Sequence, residues 1–236
     1  MTKGSRQAPL SVNILRVMKA VILAAGVGSR LHPLTLETPK PLIEVAGKPI
    51  IDRVLDSLPD QISEVILVVG HLKEKIKLHL GQEYLGRKII FVDQGEKKGT
   101  FGALLSTQNL LNDKFLVLNG DDLYNREELE KFTREERAFG LQKMMMPNYY
   151  AVLTDKAGFV TGFEKNSNGE KFVATGVYLL DPEIFRHKGV LVYGGELGLP
   201  QTILAQKEMF HIKAIVTEKW LPINSFEDLE RANKLC

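Results

Sequence analysis

An α/β fold built on a mostly parallel central sheet is the architecture this sequence predicts, and three observations predict it. Short apolar runs rich in Val and Ile recur along the first half of the chain, segments with helical spacing lie between them, and no internal repeat or low-complexity tract interrupts the alternation. Strand, helix and strand in succession place neighbouring strands parallel, joined by right-handed crossovers. At 236 residues, 44% hydrophobic and 25% charged, the chain has the length and composition to bury a sizeable core.

Residues 1–17 lack clear periodicity and precede a second methionine, Met18, so they are expected to form a flexible N-terminal extension. Lys19–Leu23, Glu64–Val69, Lys88–Val92 and Phe115–Leu118 read as buried strands. Between them, Ile50–Leu58, Lys73–Leu80 and Gly99–Leu111 carry helical spacing. Past Asp122 the texture changes. A charged helix over Glu127–Arg137 is followed by strand candidates at Tyr149–Leu153, Phe159–Glu164 and Phe172–Leu180, which together suggest a mixed-sheet lobe. Asp181–Arg186 and Pro200–Lys207 read as helices and Phe210–Val216 as a strand. The last helix opens with Ser225 three residues before Asp228, the form of an N-terminal capping box.

The net charge of +2 gives no general attraction to nucleic acid or to an anionic membrane, so neither is an expected partner. No run approaches the roughly 20 apolar residues of a membrane span. The one cysteine, Cys236, leaves no internal disulfide, which fits a reducing compartment and makes the cytoplasm the expected location.

The chemistry concentrates after the first strand, in "LAAGVGSRLHPLTLETPKPL", Leu23–Leu42. A dinucleotide fingerprint needs a third glycine where Leu31 stands, and no Gly-Lys-Ser/Thr follows to make a Walker loop. What remains is a loop whose backbone amides can approach an anion. It holds Gly26 and Gly28, Arg30, and Lys40 on a stiff Pro39-Lys40-Pro41 segment. By themselves those glycines are as well explained by a turn, and Lys48 by the shape of the turn into the next helix.

Met18–Ile51 as a whole resembles the opening signature of the sugar-1-phosphate nucleotidylyltransferases, the group of the glucose-1-phosphate thymidylyltransferases and N-acetylglucosamine-1-phosphate uridylyltransferases. The resemblance implies a GT-A or Rossmann-like three-layer sandwich with a mixed, mostly parallel sheet and a small sugar-binding lobe. It implies one nucleotidyltransferase domain over 18–236, nucleotide-binding to about 122 and sugar-phosphate-binding beyond. The reaction would join a nucleoside triphosphate, UTP or dTTP, to a sugar-1-phosphate with Mg²⁺. Leu23, Ala24, Ala25, Gly26 and Gly28 would wrap the nucleotide, and Arg30 and Lys40 would hold its phosphates. Electrostatically this is sensible, because phosphoryl-type transfer needs positive charge where negative charge moves.

Later motifs extend the likeness almost to the C-terminus. In "DQGEKKGTFGALL" the resemblance gives Gln94, Gly99 and Thr100 to the base. "FLVLNGDDLY" ends a strand on Asp121, which it gives to the metal; Asp122 either supports that residue or caps the turn. Glu164 and Lys165 would grip the acceptor, with Thr175 and Gly176 on the pocket floor. The chain departs from the pattern at Pro222, where many relatives carry a second metal-binding aspartate, and Asn224 is the expected substitute oxygen. Ala151, Ala174 and Gln201 also differ from the usual residues, so the sugar is not transferred with the likeness. Self-association is compatible with all of this. Two competing readings stay open. One is a cytidylyltransferase for phosphocholine or a related phosphoalcohol, with Tyr149, Tyr150 and Trp220 as a cation cage. The other is a regulatory protein that binds without turnover.

Overall fold

The computed structural model describes residues 17–96, 98–145, 150–165 and 169–236. The predicted N-terminal extension, Val17 apart, lies outside the described residues, and so does Tyr149. In chain order the elements begin with β1 (Met18–Ala24), α1 (Leu34–Glu37), a ribbon of β2 (Glu44–Val45) and β3 (Lys48–Pro49), α2 (Ile50–Ser57) and β4 (Ile62–Val69). Next come α3 (Lys73–Leu80), β5 (Glu83–Tyr84), β6 (Arg87–Asp93), α4 (Thr100–Leu105), β7 (Phe115–Asn119), β8 (Asp122–Leu123) and α5 (Arg126–Phe132). They are followed by β9 (Ala138–Met144), β10 (Tyr150–Thr154), β11 (Val160–Lys165) and β12 (Lys171–Leu180). The chain closes with β13 (Val190–Leu191), β14 (Leu197–Gly198), α6 (Leu199–Ala205), β15 (Lys213–Thr217), β16 (Leu221–Pro222) and α7 (Phe226–Leu235).

The runs in β1, β4 and β7 are buried on both faces because they occupy the middle of one eight-stranded sheet, ordered β15-β9-β12-β7-β1-β4-β6-β5, whereas the run in β6, next to the edge strand, is only partly buried. β7, β1, β4 and β6 run parallel, as do β15 and β9, whereas β12 is antiparallel to both β7 and β9. Successive side chains of a strand point to opposite faces, so β1 feeds two cores. Ala20, Ile22 and Ala24 pack with Val54 and Leu55 of α2, Ile76 of α3 and Phe132 of α5. Val21 and Leu23 pack with Phe101 and Leu104 of α4 and with Leu199 and Ile203 of α6. Helices therefore cover both faces, which is the predicted three-layer arrangement. No helix among the described residues is long and apolar enough to cross a membrane.

Several elements differ from expectation. β9 falls where no strand is predicted, and it lies inside the sheet between β12 and β15. Its sequence, AFGLQKM, has no β-branched residue, so cross-strand pairing rather than local preference makes it a strand. The predicted lobe is consequently much smaller. β9, β12 and β15 extend the main sheet, and of the strands predicted for the lobe β10 and β11 form a separate ribbon. The helix expected to reach Leu111 ends at Leu105, where the hydroxyls of Ser106 and Thr107 donate back to the Ala103 and Leu104 carbonyls. The charged helix stops at Phe132, five residues short of Arg137, and Thr133 closes it by donating to the Glu130 carbonyl. Asp181–Arg186 is a capped 3₁₀ turn over Pro182–Arg186 rather than an α-helix. The expected cap on α7 is present: Ser225 Oγ accepts from the Asp228 N–H at 3.1 Å, while the Asp228 carboxylate accepts from the Asn224 N–H at 2.9 Å.

Candidate active site

The carboxyl ends of β1, β4, β6 and β7 lie at one edge of the sheet, and their loops meet there. Beyond β1, the residues around Gly28 turn into a 3₁₀ turn at Ser29–Leu31, tied down by Thr35 Oγ1 donating to the Gly28 carbonyl at 2.9 Å. Pro39 is extended and delivers Lys40 into a second 3₁₀ turn, with Pro41 behind it. The Lys40 side chain is only 7% exposed, and its Nζ donates to Asp121 Oδ2 at 2.6 Å. Asp121 stands two residues beyond the end of β7, so residues far apart in sequence form one pair at the strand ends. Arg30 Nη2 donates to Asn224 Oδ1 at 3.1 Å. The Gln94 amide nitrogen donates to the Gly99 carbonyl at 3.3 Å.

These residues surround a cavity of about 570 Å³. Its walls include Leu23, Ala25, Gly26, Gly28, Arg30 and Lys40 from the first loops. Gln94, Gly99, Thr100, Asp121 and Asn224 complete the expected set. A second cavity of about 490 Å³ adjoins it and shares Arg30, Gly99, Thr100, Asn119, Ala174 and Glu196. Phe163, Tyr150, Gly176 and Gln201 line the far side.

Three expectations are corrected. Ala24 belongs to the core, because strand alternation turns it away from the face that Leu23 presents to the cavity. Thr175 is likewise on the wrong side of β12: Ala174 and Gly176 line the cavities, and the fully buried Thr175 faces a small void beside Tyr124 and Trp220. Glu164 and Lys165 are exposed and line neither cavity, and Glu164 pairs with Lys171 at 3.3 Å. Lys165 lies opposite Tyr150 in the ribbon, on the face that Phe163 and Tyr150 turn toward the second cavity, whereas Glu164 shares the other face with Ala151. Lys48 pairs with Asp56, away from both cavities. The cation cage is not assembled among the described residues, since Trp220 lines the first cavity and Tyr150 the second.

Residues that the sequence reading did not assign to the site are Lys98, Asn119, Glu196 and Phe163. Lys98 directly precedes Gly99 and Asn119 stands two residues before Asp121, and that proximity was the available signal. Glu196 arrives from a distant hairpin. Leu197 N–H donates to the Lys98 carbonyl and Leu199 N–H to Thr100 Oγ1, each at 2.9 Å, which docks that hairpin on Gly99. Gly99 is required there: with φ at 86°, a Cβ would come within 2.5 Å of the Leu197 oxygen. Gly176 is equally constrained, with φ at 73° and a Cβ position 2.2 Å from Asn119 Nδ2. Gly176→Ala is expected to destabilise the fold by about 2 kcal/mol or more, read from the denaturant midpoint, because left-handed strain and displacement of Asn119 add.

Asp122 is buried beside this pair. Burial first, then the Asp121 carboxylate, pushes its carboxyl group up to about 7, against the opposing pull of Lys40. Among the described residues no group of three or more His, Cys, Asp or Glu is placed to hold a metal ion. Magnesium asks for less, since one or two carboxylates suffice when phosphate oxygens and water supply the rest. The part-exposed Asp121 carboxylate and the Asn224 amide oxygen, on the wall of one cavity, fit that donor set.

A glycine loop, two cations, an acid and an amide around one cavity are matched by sequence likeness. Residues 19–198 match the family described as Nucleotidyl transferase. The chain belongs to the nucleotidyl transferase family. Among its relatives, the bifunctional protein GlmU of Methanocaldococcus jannaschii is 33% identical over 223 residues, covering 92% of this chain and 54% of GlmU. The UTP–glucose-1-phosphate uridylyltransferase AglF of Haloferax volcanii is 37% identical over 179 residues, covering 71% of this chain and 74% of AglF. The chain spans 54%, 41% and 32% of the length of three GlmU relatives it matches. A solved chain from Bacillus anthracis, 24% identical, superposes with a TM-score of 0.79 over 93% of this chain and 95% of its own. A UDP-glucose pyrophosphorylase complexed with UDP-glucose, 18% identical, gives 0.76 over 93% and 98%. Both carry the same fold.

Proposed function

We propose that this nucleotidyl transferase condenses UTP or dTTP with a sugar-1-phosphate, giving a nucleoside diphosphate sugar and pyrophosphate. The observation that carries the reading is the Lys40–Asp121 pair, held at 2.6 Å where the glycine loop and Arg30 converge. The likeness to AglF, a UTP–glucose-1-phosphate uridylyltransferase, supports the substrate class. In this reading the triphosphate occupies the first cavity. Backbone amides near Gly26 and Gly28 meet the phosphates, Arg30 and Lys40 balance the charge that moves onto the departing pyrophosphate, and Gln94 presents donor and acceptor to the base.

The acceptor occupies the second cavity, where it reaches the α-phosphorus past Arg30, which both cavities share. Gln201 and Gly176 line that cavity and face the sugar. Asp121 and Asn224 are the residues that would hold a Mg²⁺ ion, which would further neutralise the phosphate oxygens. No side chain need remove a proton, because a phosphate monoester near neutral pH is already an anionic nucleophile. The division into a nucleotide half (18–122) and an acceptor half (123–236) is functional in this account, with Trp220 and Asn224 crossing from the second half to the first cavity.

The test is pyrophosphate release with Mg²⁺ across a panel of triphosphates and acceptors. Turnover with UTP or dTTP and a sugar-1-phosphate is the expected result. Turnover confined to CTP and phosphocholine, or binding without turnover in every combination, overturns the proposal.

A further inference from the structure

Asp122 takes no part in the reaction described above, yet it is only 4% exposed and sits one residue from Asp121. Burying an ionisable group there costs stability unless donors surround it. Three do. Its Oδ2 accepts from the Trp220 indole N–H at 3.2 Å and from Asn119 Nδ2 at 3.4 Å, and its Oδ1 accepts from the Ile223 backbone N–H at 3.3 Å. Ile223 immediately precedes Asn224. One carboxylate therefore ties the turn that carries Asp121 to the segment that carries Asn224, in addition to the short ladder between Asp122–Leu123 and Leu221–Pro222.

The far end of this tie is itself fixed. Gln142 on β9, also buried, donates to the Trp220 carbonyl at 3.1 Å and accepts from the Trp220 N–H at 3.0 Å. Glu128 on α5 accepts from the backbone N–H groups of Glu218 and Lys219 at 2.8 and 3.2 Å. Two elements that do not line the first cavity thus hold the segment between β15 and β16 on which Trp220 sits, and Trp220 lines that cavity.

We infer that Asp122 and Trp220 form a latch that sets Asp121 and Asn224 relative to each other, making Asp122 a positioning residue for the oxygen pair that receives the divalent ion. This rests on the reading in which Asp121 and Asn224 hold that ion. Pro222 supplies no oxygen ligand from its side chain, which leaves Asp121 and Asn224 as the pair whose spacing the latch and the ladder fix together.

Trp220 is the single tryptophan of the chain, so its fluorescence reports on this contact without interference. Trp220→Phe keeps a ring and removes the indole donor; Asp122→Ala removes the acceptor. Mn²⁺ binding, followed by electron paramagnetic resonance with UTP present, is the primary measurement. Wild-type binding is expected to perturb Trp220 emission, and Trp220→Phe is expected to bind Mn²⁺ about tenfold more weakly, the scale seen when groups supporting metal ligands are altered. The Mg²⁺ concentration for half-maximal turnover should rise by the same factor. If both variants bind Mn²⁺ as the wild type does while losing only thermal stability, the latch proposal is wrong and Asp122 is structural. Should Asp122→Ala fail to fold, Trp220→Phe decides alone. A wild-type protein that binds no Mn²⁺ with UTP present overturns the metal reading and the latch together, an outcome distinct from equal binding by wild type and variants.

Discussion

Asp121→Ala is expected to lower turnover at least about a hundredfold, the scale for loss of one positioned electrostatic group. Asp121 is, among the described residues, the carboxylate on the wall of the first cavity that pairs with Lys40. It also restrains Lys40, whose ammonium is nearly buried, so the alanine variant loses a metal-side oxygen and leaves that ammonium unpaired. Activity should accordingly be normalised to folded protein. Asp121→Asn separates the two effects, because its amide oxygen still accepts from Lys40 while the charge is gone. It should recover stability and leave turnover low. Native-like turnover in the asparagine variant would remove Asp121 from the reaction.

Lys40→Ala is expected to produce a loss of similar size, also at least about a hundredfold, and to act on kcat more than on KM. Without substrate the Lys40 charge is balanced by Asp121 at 2.6 Å. A triphosphate offers a stronger set of oxygens, and the charge on them grows toward the leaving pyrophosphate as the bond to the α-phosphorus breaks. An interaction that strengthens along that path lowers the barrier rather than merely tightening the ground-state complex. Lys40→Arg keeps the charge but needs more room beside Gly28, whose Cβ position lies 3.1 Å from Lys40 Cβ. It should restore only part of the rate. Equal kcat in the alanine variant and the wild type would sink the role given to Lys40.

The parallel half of the sheet was legible because a strand buried on both faces must be apolar at nearly every position, and β1, β4 and β7 announce themselves as continuous Val, Ile and Leu runs. β9 gave no such signal. Its glycine, glutamine and lysine suit the positions they hold, with Gln142 spent on Trp220 and Gly140 admitting the Thr175 hydroxyl, but neither reason exists until β12 and the segment after β15 are packed against it. The direction of each side chain was the second gap. A motif marks a stretch such as Leu23–Gly28 or Ala174–Gly176, yet only the phase of the strand decides that Leu23 and Gly176 face a cavity while Ala24 and Thr175 face the core.

What the sequence determined by itself was chemical inventory and local form. It named the glycine loop, the stiff Pro-Lys-Pro turn, the acid after β7 and the helices and strands that separate them, because each depends on neighbours within a few residues. The tertiary structure alone decided which of these meet. Lys40 reaches Asp121 across 81 residues and Arg30 reaches Asn224 across 194, distances along the chain that are closed by sheet pairing and by burial on both faces of β1. Local preference carries no information about such contacts, since the free energy that makes them is released when apolar strands and helices pack together, and the polar side chains at the strand ends are carried into place.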